Sequence, residues 1–179
     1  MAGGSEQDIA RIELRWAMAM GALSALIFGV IVFTAIAMGI NPPSNAETID
    51  PKTLHRSGEF TEANLGTRID PDGQIVARLV ATQFAFVPGC IKLPANLPVT
   101  LRLASPDVVH GLLISGTNVN TMVVPGYVSQ VHTVFHTTGD LLMPCHEFCG
   151  LGHSQMIARV RVVPANEFLP DADGRARCD

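Results

Sequence analysis

The chain has 179 residues, of which 47% are hydrophobic and 16% charged, and a formal net charge of −4. That length allows one globular domain of about 100–130 residues plus a separate element, and the absence of a basic footprint excludes nucleic acid as a partner. A mildly acidic surface still suits a basic partner protein approached with salt-sensitive kinetics.

Residues 1–15 read as a short polar lead with an amphipathic last stretch. Residues 16–40, WAMAMGALSALIFGVIVFTAIAMGI, carry no charge. Twenty-five helical residues span roughly 37 Å, enough to cross a hydrocarbon core of about 30 Å with some tilt. The Ala and Gly content suits close helix packing in a membrane, and Ser24 and Thr34 are able to bond back to helix carbonyls. A cleaved secretory signal is the competing reading. Ala35-Ile36-Ala37 offers a small-residue cleavage site, but the apolar run exceeds the usual signal core of about 7–15 residues. Arg11 and Arg15 lie just before the run, and the next cation is Lys52. The positive-inside rule therefore puts the amino terminus in the cytoplasm and everything after Ile40 outside, as expected of a single-pass protein of a bacterial-type inner membrane.

Asn41-Pro42-Pro43-Ser44-Asn45 stops a helix, because proline cannot continue one and restricts the residue before it. Residues 41–73, broken by Pro51, Gly58, Gly66 and Pro71, read as a linker. From Gln74 short β-type runs alternate with turn residues: Ile75–Phe84, Val99–Ala104, His110–Ser115, Thr121–Val124, Val128–His136, Asp140–Met143 and Met156–Val163. Seven short strands with Gly/Pro punctuation predict an all-β Greek-key sandwich or barrel over 74–164, followed by a tail over 165–179. Ligands gather at one end of such a sandwich, where rigid strands fix the loops that carry them.

The richest stretch is Cys145-His146-Glu147-Phe148-Cys149-Gly150-Leu151-Gly152-His153-Ser154-Gln155-Met156. Thiolates with imidazole select copper, zinc or iron–sulfur; a thioether is a copper or haem ligand, whereas zinc takes thiolate, imidazole and carboxylate. Met156 therefore favours copper. A blue-copper centre needs one thiolate, so two thiolates allow a pair of coppers to share bridging sulfurs, each ion with its own histidine. His153 is one candidate and His110 the other. A disulfide between Cys145 and Cys149, or a structural zinc completed by His110, stays open as the competing reading. In an oxidising compartment spare cysteines usually pair; Cys90 and Cys178 form a disulfide or stay free. His132 and His136 fit ordinary strand roles, His55 lies in the linker, and His146 faces outward or towards a partner.

At these residues the chain resembles subunit II of haem–copper cytochrome c oxidases. The resemblance rests on Ser105-Pro106-Asp107-Val108-Val109-His110-Gly111, Gly116-Thr117-Asn118-Val119-Asn120, Val124-Pro125-Gly126-Tyr127-Val128-Ser129 and the Cys145–Met156 motif. It covers roughly residues 74–164, with the single amino-terminal helix of one branch of the family. It implies a cupredoxin domain carrying the binuclear CuA centre. Cys145 and Cys149 become the bridging thiolates, His110 and His153 the terminal ligands, Met156 a weak axial ligand and Glu147 a backbone-carbonyl ligand. In many members the Glu147 carboxylate also binds magnesium or manganese at the junction with subunit I. The implied partners are a haem-bearing subunit I, which reduces oxygen, and a donor that is cytochrome c or a small copper protein. Many oxidases place a tryptophan near Phe84 to receive the electron. Here Trp16 is the sole tryptophan, so electrons are expected to arrive at an apolar patch with Phe86 as its leading residue, against the plainer reading of Phe84 and Phe86 as core or turn packing.

Other classes fit less well. Quinol oxidase subunits have lost the copper ligands that this chain keeps. Nitrous oxide reductase usually has Trp where this chain has Glu147, with a further large catalytic domain. A nitric oxide reductase with a CuA subunit would carry the same relay. A membrane-tethered copper carrier would use exposed, open sites.

Overall fold

The computed structural model describes residues 6–37, 47–56, 58–172 and 174–178. Two compact units divide the chain, one within residues 1–41 and the other within 42–179. In the first, α1 (Glu6–Ala37) is a 32-residue helix with no buried residue. It is long and apolar enough to cross a membrane. Helix already begins within the expected polar lead, and Thr34 Oγ1 donates to the carbonyls of Val30 and Ile31 at 2.9 Å each. The proline stop over 41–45 and the last residues of the expected span, 38–40, lie outside the described residues.

The second unit is a β-sandwich. Its larger sheet holds β1 (Gly66–Ile69), β2 (Ile75–Thr82), β3 (Ala85–Val87), β5 (Pro98–Ala104), β8 (Ser129–Val134) and β11 (Arg175–Ala176), ordered β11-β1-β2-β5-β8 with β3 also on β2. The smaller sheet is β4 (Cys90–Pro94), β10 (Ile157–Val163) and β9 (Gly139–Pro144), and β6 (His110–Leu113) pairs with β7 (Asn120–Val123) as a separate hairpin. β2 runs parallel to β5, and β4 parallel to β10. Such pairs need crossovers from sheet to sheet, which is how the Greek-key expectation is met.

Alternation explains the core. Ala77, Leu79 and Ala81 of β2 and Leu101 and Leu103 of β5 meet Ile91, Leu93, Met143, Val160 and Val162 of the smaller sheet, each 2% exposed or less. The opposite face of β2 and β5 is not left to solvent. Leu54 and Phe60 pack there with Ala104 and Val128, and Glu59 accepts from both Arg78 (2.9 Å) and Arg102. Arg78 also pairs with Asp70 and Arg102 with Glu47, both at 2.7 Å.

The domain is therefore wider than the expected 74–164. Residues 47–56 and 58–65, read as linker, form a strap across the sheet, and β1 follows, because two isolated apolar residues and a set of carboxylates find partners that no local pattern reveals. The tail is likewise integral: β11 pairs with β1, and Cys178 forms a disulfide with Cys90.

Candidate metal centre

Three segments converge at one pole of the sandwich. His110 opens β6 and is fully buried. The loop after β9 carries Cys145, which pairs with Leu112 and whose N–H donates to the Met156 carbonyl at 2.9 Å. A 3-10 turn, His153–Gln155, then delivers Met156 to the start of β10.

The donor atoms form one cluster. Cys145 Sγ and Cys149 Sγ are 3.9 Å apart, well beyond the covalent S–S distance of about 2.05 Å, and both are free thiols. Cys145 Sγ lies 3.9 Å from His110 Nδ1 and 3.2 Å from the Glu147 carbonyl oxygen. Cys149 Sγ lies 3.6 Å from His153 Nδ1 and 3.8 Å from Met156 Sδ. Every residue of the expected ligand set is thus brought together, and Met156 aims its sulfur inward while fully buried. A soft thioether added to two thiols and two imidazoles is a donor set matched to copper.

Electrostatics around the cluster fixes the protonation pattern. His110 donates through Nε2 to Asp107 Oδ1 at 2.9 Å, so Nδ1 is the nitrogen left to face the thiols; such carboxylate–histidine pairs orient metal ligands. Partial burial acts to raise Asp107, but its bonds from His110, the N–H groups of Gln83 and Val108 and the Thr82 hydroxyl hold it well below the usual carboxylate range. Burial, and then the adjacent Cys145, push the Cys149 thiol up. Two thiolates this close need a cation between them, and loading a metal must release their protons.

Glycine is required where the loop passes under its neighbours. A Cβ on Gly111 would sit 1.9 Å from His146 Nδ1, and one on Gly152 would sit 2.6 Å from the Phe84 ring. The other histidines stay away from the cluster: exposed His146 bonds to Asn120, His132 to Thr100 and Gln130, and His136 to Asn96, while His55 is exposed in the strap.

Phe86 does not form a surface patch. In three-residue β3 it points inward and is 3% exposed, within the core. The exposed aromatic of that stretch is Phe84, 40% exposed in the turn between β2 and β3. It lies against Gly150 and Gly152, in the same loop that carries exposed Phe148 and fully exposed Leu151. Two residues of the site have no role assigned from sequence. Asp107, three before His110, has a readable spacing for a carboxylate–histidine pair; Gln83 is brought in only by the fold.

A family model described as cytochrome C oxidase subunit II, periplasmic domain, matches residues 74–163. A cytochrome c oxidase subunit 2 of Thermus thermophilus is 32% identical over 124 residues, covering 69% of this chain and 92% of its own. Another from the same organism is 30% identical over 143 residues, covering 77% and 85%. Among solved structures, a chain of a heme-copper terminal oxidase dimer superposes with a TM-score of 0.69 at 28% identity, over 85% of this chain and 99% of that one.

Proposed function

The chain belongs to the cytochrome c oxidase subunit II family, and from that premise we propose that it is the electron-accepting subunit of a membrane-bound terminal oxidase, with a binuclear copper site at the pole of its cupredoxin domain. The observation that carries the reading is the cluster of six donors, His110, Cys145, the Glu147 carbonyl, Cys149, His153 and Met156, with successive donor atoms 3.2–3.9 Å apart. Bound there, two copper ions would supply a one-electron relay whose charge is shared over both metals and both sulfurs. The protein's part is to hold the donors still. Burial of His110, Cys145, Cys149 and Met156 excludes water, and Asp107 fixes the His110 ring, so little need rearrange when an electron arrives or leaves.

Electrons enter where exposed Phe84 lies against the Cys149–Gly152 loop, whose own exposed Leu151 and neighbouring Phe148 add apolar surface suited to the rim of a cytochrome c or a small copper protein. They leave to haem in a partner subunit I, where oxygen is reduced. The Glu147 side chain stays free to share a magnesium or manganese ion with that subunit. The helix 6–37 anchors the chain in the inner membrane, with its amino terminus in the cytoplasm and the β domain outside.

The nitric oxide reductase reading draws no support from the relatives, which are named as cytochrome c oxidase subunits. A copper carrier is disfavoured by the burial of the donors. Affinity purification of the full chain from detergent-solubilised membranes tests the proposal. It should bring down a haem-bearing subunit and oxygen uptake driven by a reduced cytochrome c or copper protein. Nitric oxide consumption without oxygen uptake would overturn it.

A further inference from the structure

The turn Thr82-Gln83-Phe84 touches both halves of the donor cluster. The Gln83 backbone N–H and the Thr82 hydroxyl donate to Asp107 Oδ2 at 2.7 and 2.8 Å, and the other oxygen of Asp107 holds the His110 ring. The Gln83 side-chain amide reaches the opposite way and donates to the backbone carbonyl of Cys149. The fit is tight, since a Cβ on Gly150 would lie 2.9 Å from both Gln83 Nε2 and the Phe84 ring.

These contacts make the turn a clip. One side reaches the β5–β6 segment that presents His110, and the other reaches the loop that presents Cys149 and His153. Asp107 alone cannot do this, because all its donors come from the His110 side or from the turn itself. The β6 strand also pairs with the start of this loop, through Leu112 and Cys145 and through the His146 N–H to the Gly111 carbonyl; the Gln83 side chain adds a second tie, made at Cys149 itself.

We infer that Gln83 is a positioning residue for the metal centre: its side-chain amide ties the Cys149 backbone to the Asp107–His110 pair and so fixes one bridging thiolate relative to the buried histidine ligand. The assignment rests on the copper reading above. It has two consequences. A ligand carried on an untethered loop releases metal sooner, and outer-shell partners of this kind typically change metal affinity about 10–100-fold. The positive end of the amide dipole, held beside the centre, also favours the reduced form, so removing it lowers the reduction potential.

The test uses the full chain in detergent with Gln83→Met, which keeps length without the donor, and Gln83→Glu, which adds a negative charge facing the carbonyl. Copper transfer from the loaded chain to a Cu(I) chelator should be about tenfold faster in Gln83→Met than in wild type. The potentials should fall in the order wild type, Gln83→Met, Gln83→Glu. The unfolding midpoint of the metal-free chain should stay unchanged, which separates positioning from general stabilisation. In the metal-free chain, amide exchange of residues 149–152 should be faster in both variants. Wild-type transfer rates and potentials in Gln83→Met would overturn the assignment. Should wild type itself hold no copper pair, the copper reading fails, and the amide exchange of the metal-free chains still decides whether Gln83 tethers the loop: equal exchange in all three would overturn the tether.

Discussion

The donor pole, built from β6 and the loop between β9 and β10, and the strap face of β2 and β5 are held together by opposite means. On the strap face, formal charges do the joining: Arg78 and Arg102 are 14% and 16% exposed, and Glu59 serves both. At the pole, the Asp107 carboxylate is fixed by hydrogen bonds from His110, Gln83, Val108, Thr82 and Ser105, and the donor side chains of the cluster are neutral or soft. The difference follows from what each must tolerate. A strap needs only to stay attached, and partly exposed ion pairs do that at modest gain. A redox site must keep donor distances constant while its own charge changes, which is better served by short directional hydrogen bonds and burial than by mobile long cations.

The largest expected break in that contrast comes at the pole. If the proposed binuclear site is right, Cys149→Ser should abolish it by removing a bridging sulfur, whereas Met156→Leu should retain copper with an altered potential, because a thioether in the axial role is a weak ligand. Metal analysis of both variants checks this. Loss of copper in Met156→Leu with retention in Cys149→Ser would invert the two roles.

Next comes the staple that belongs to neither region. The Cys90–Cys178 disulfide closes a sequence separation of 88 residues, and its removal in Cys178→Ser should cost about 4.6 kcal/mol by the loop-entropy relation. The denaturation midpoint of the metal-free chain measures it. Neither cysteine of this staple contributes a donor atom to the cluster, so the copper spectrum of loaded Cys178→Ser should match wild type.

On the strap face, Glu59→Ala removes the carboxylate shared by two partly buried guanidinium groups, leaving Arg78 with Asp70 and Arg102 with Glu47. It should lower stability by about 2 kcal/mol, less than for a fully buried pair because Glu59 keeps some exposure. A wild-type copper spectrum in this variant would keep the two regions separate; a changed one would show that the strap also positions the pole.

The smallest effect is expected at the surface. Phe84→Ala should slow reduction by the physiological donor several-fold and leave the copper spectrum unaltered, since Phe84 covers the ligand loop without contributing a donor atom. Stopped-flow reduction measures it, with Phe86→Ala as the contrast. As a core truncation the latter should cost about 3–5 kcal/mol of stability. If Phe86→Ala alone slowed reduction, the exposed patch would not be where electrons enter.

Legibility in the sequence follows distance along the chain. Five of the six proposed ligands sit within twelve residues, where spacing and donor chemistry are local facts, and His110 is legible through the motif around it. The seven strands expected from residue 75 onward correspond to observed strands because each has an apolar run of its own. Strands Gly66–Ile69, Ala85–Val87, Cys90–Pro94 and Arg175–Ala176 are short and punctuated by Gly, Pro or charge, and they exist because neighbours supply their hydrogen bonds. Phe84 and Phe86 show the limit most sharply. Two apart, they would share a face of a continuous strand, but the turn at Gln83–Phe84 separates them and sends one to the core and the other to the surface. The Gln83–Cys149 bond spans 66 residues, and no spacing rule reaches that far.

One pole of this domain is proposed to hold a pair of coppers on Cys145 and Cys149. Copper quantitation together with electron paramagnetic resonance of the loaded full chain tests it most directly. The account predicts two coppers per chain and a hyperfine pattern from one unpaired electron shared equally by two copper nuclei. A single copper per chain, with the hyperfine pattern of one localised ion, would contradict it.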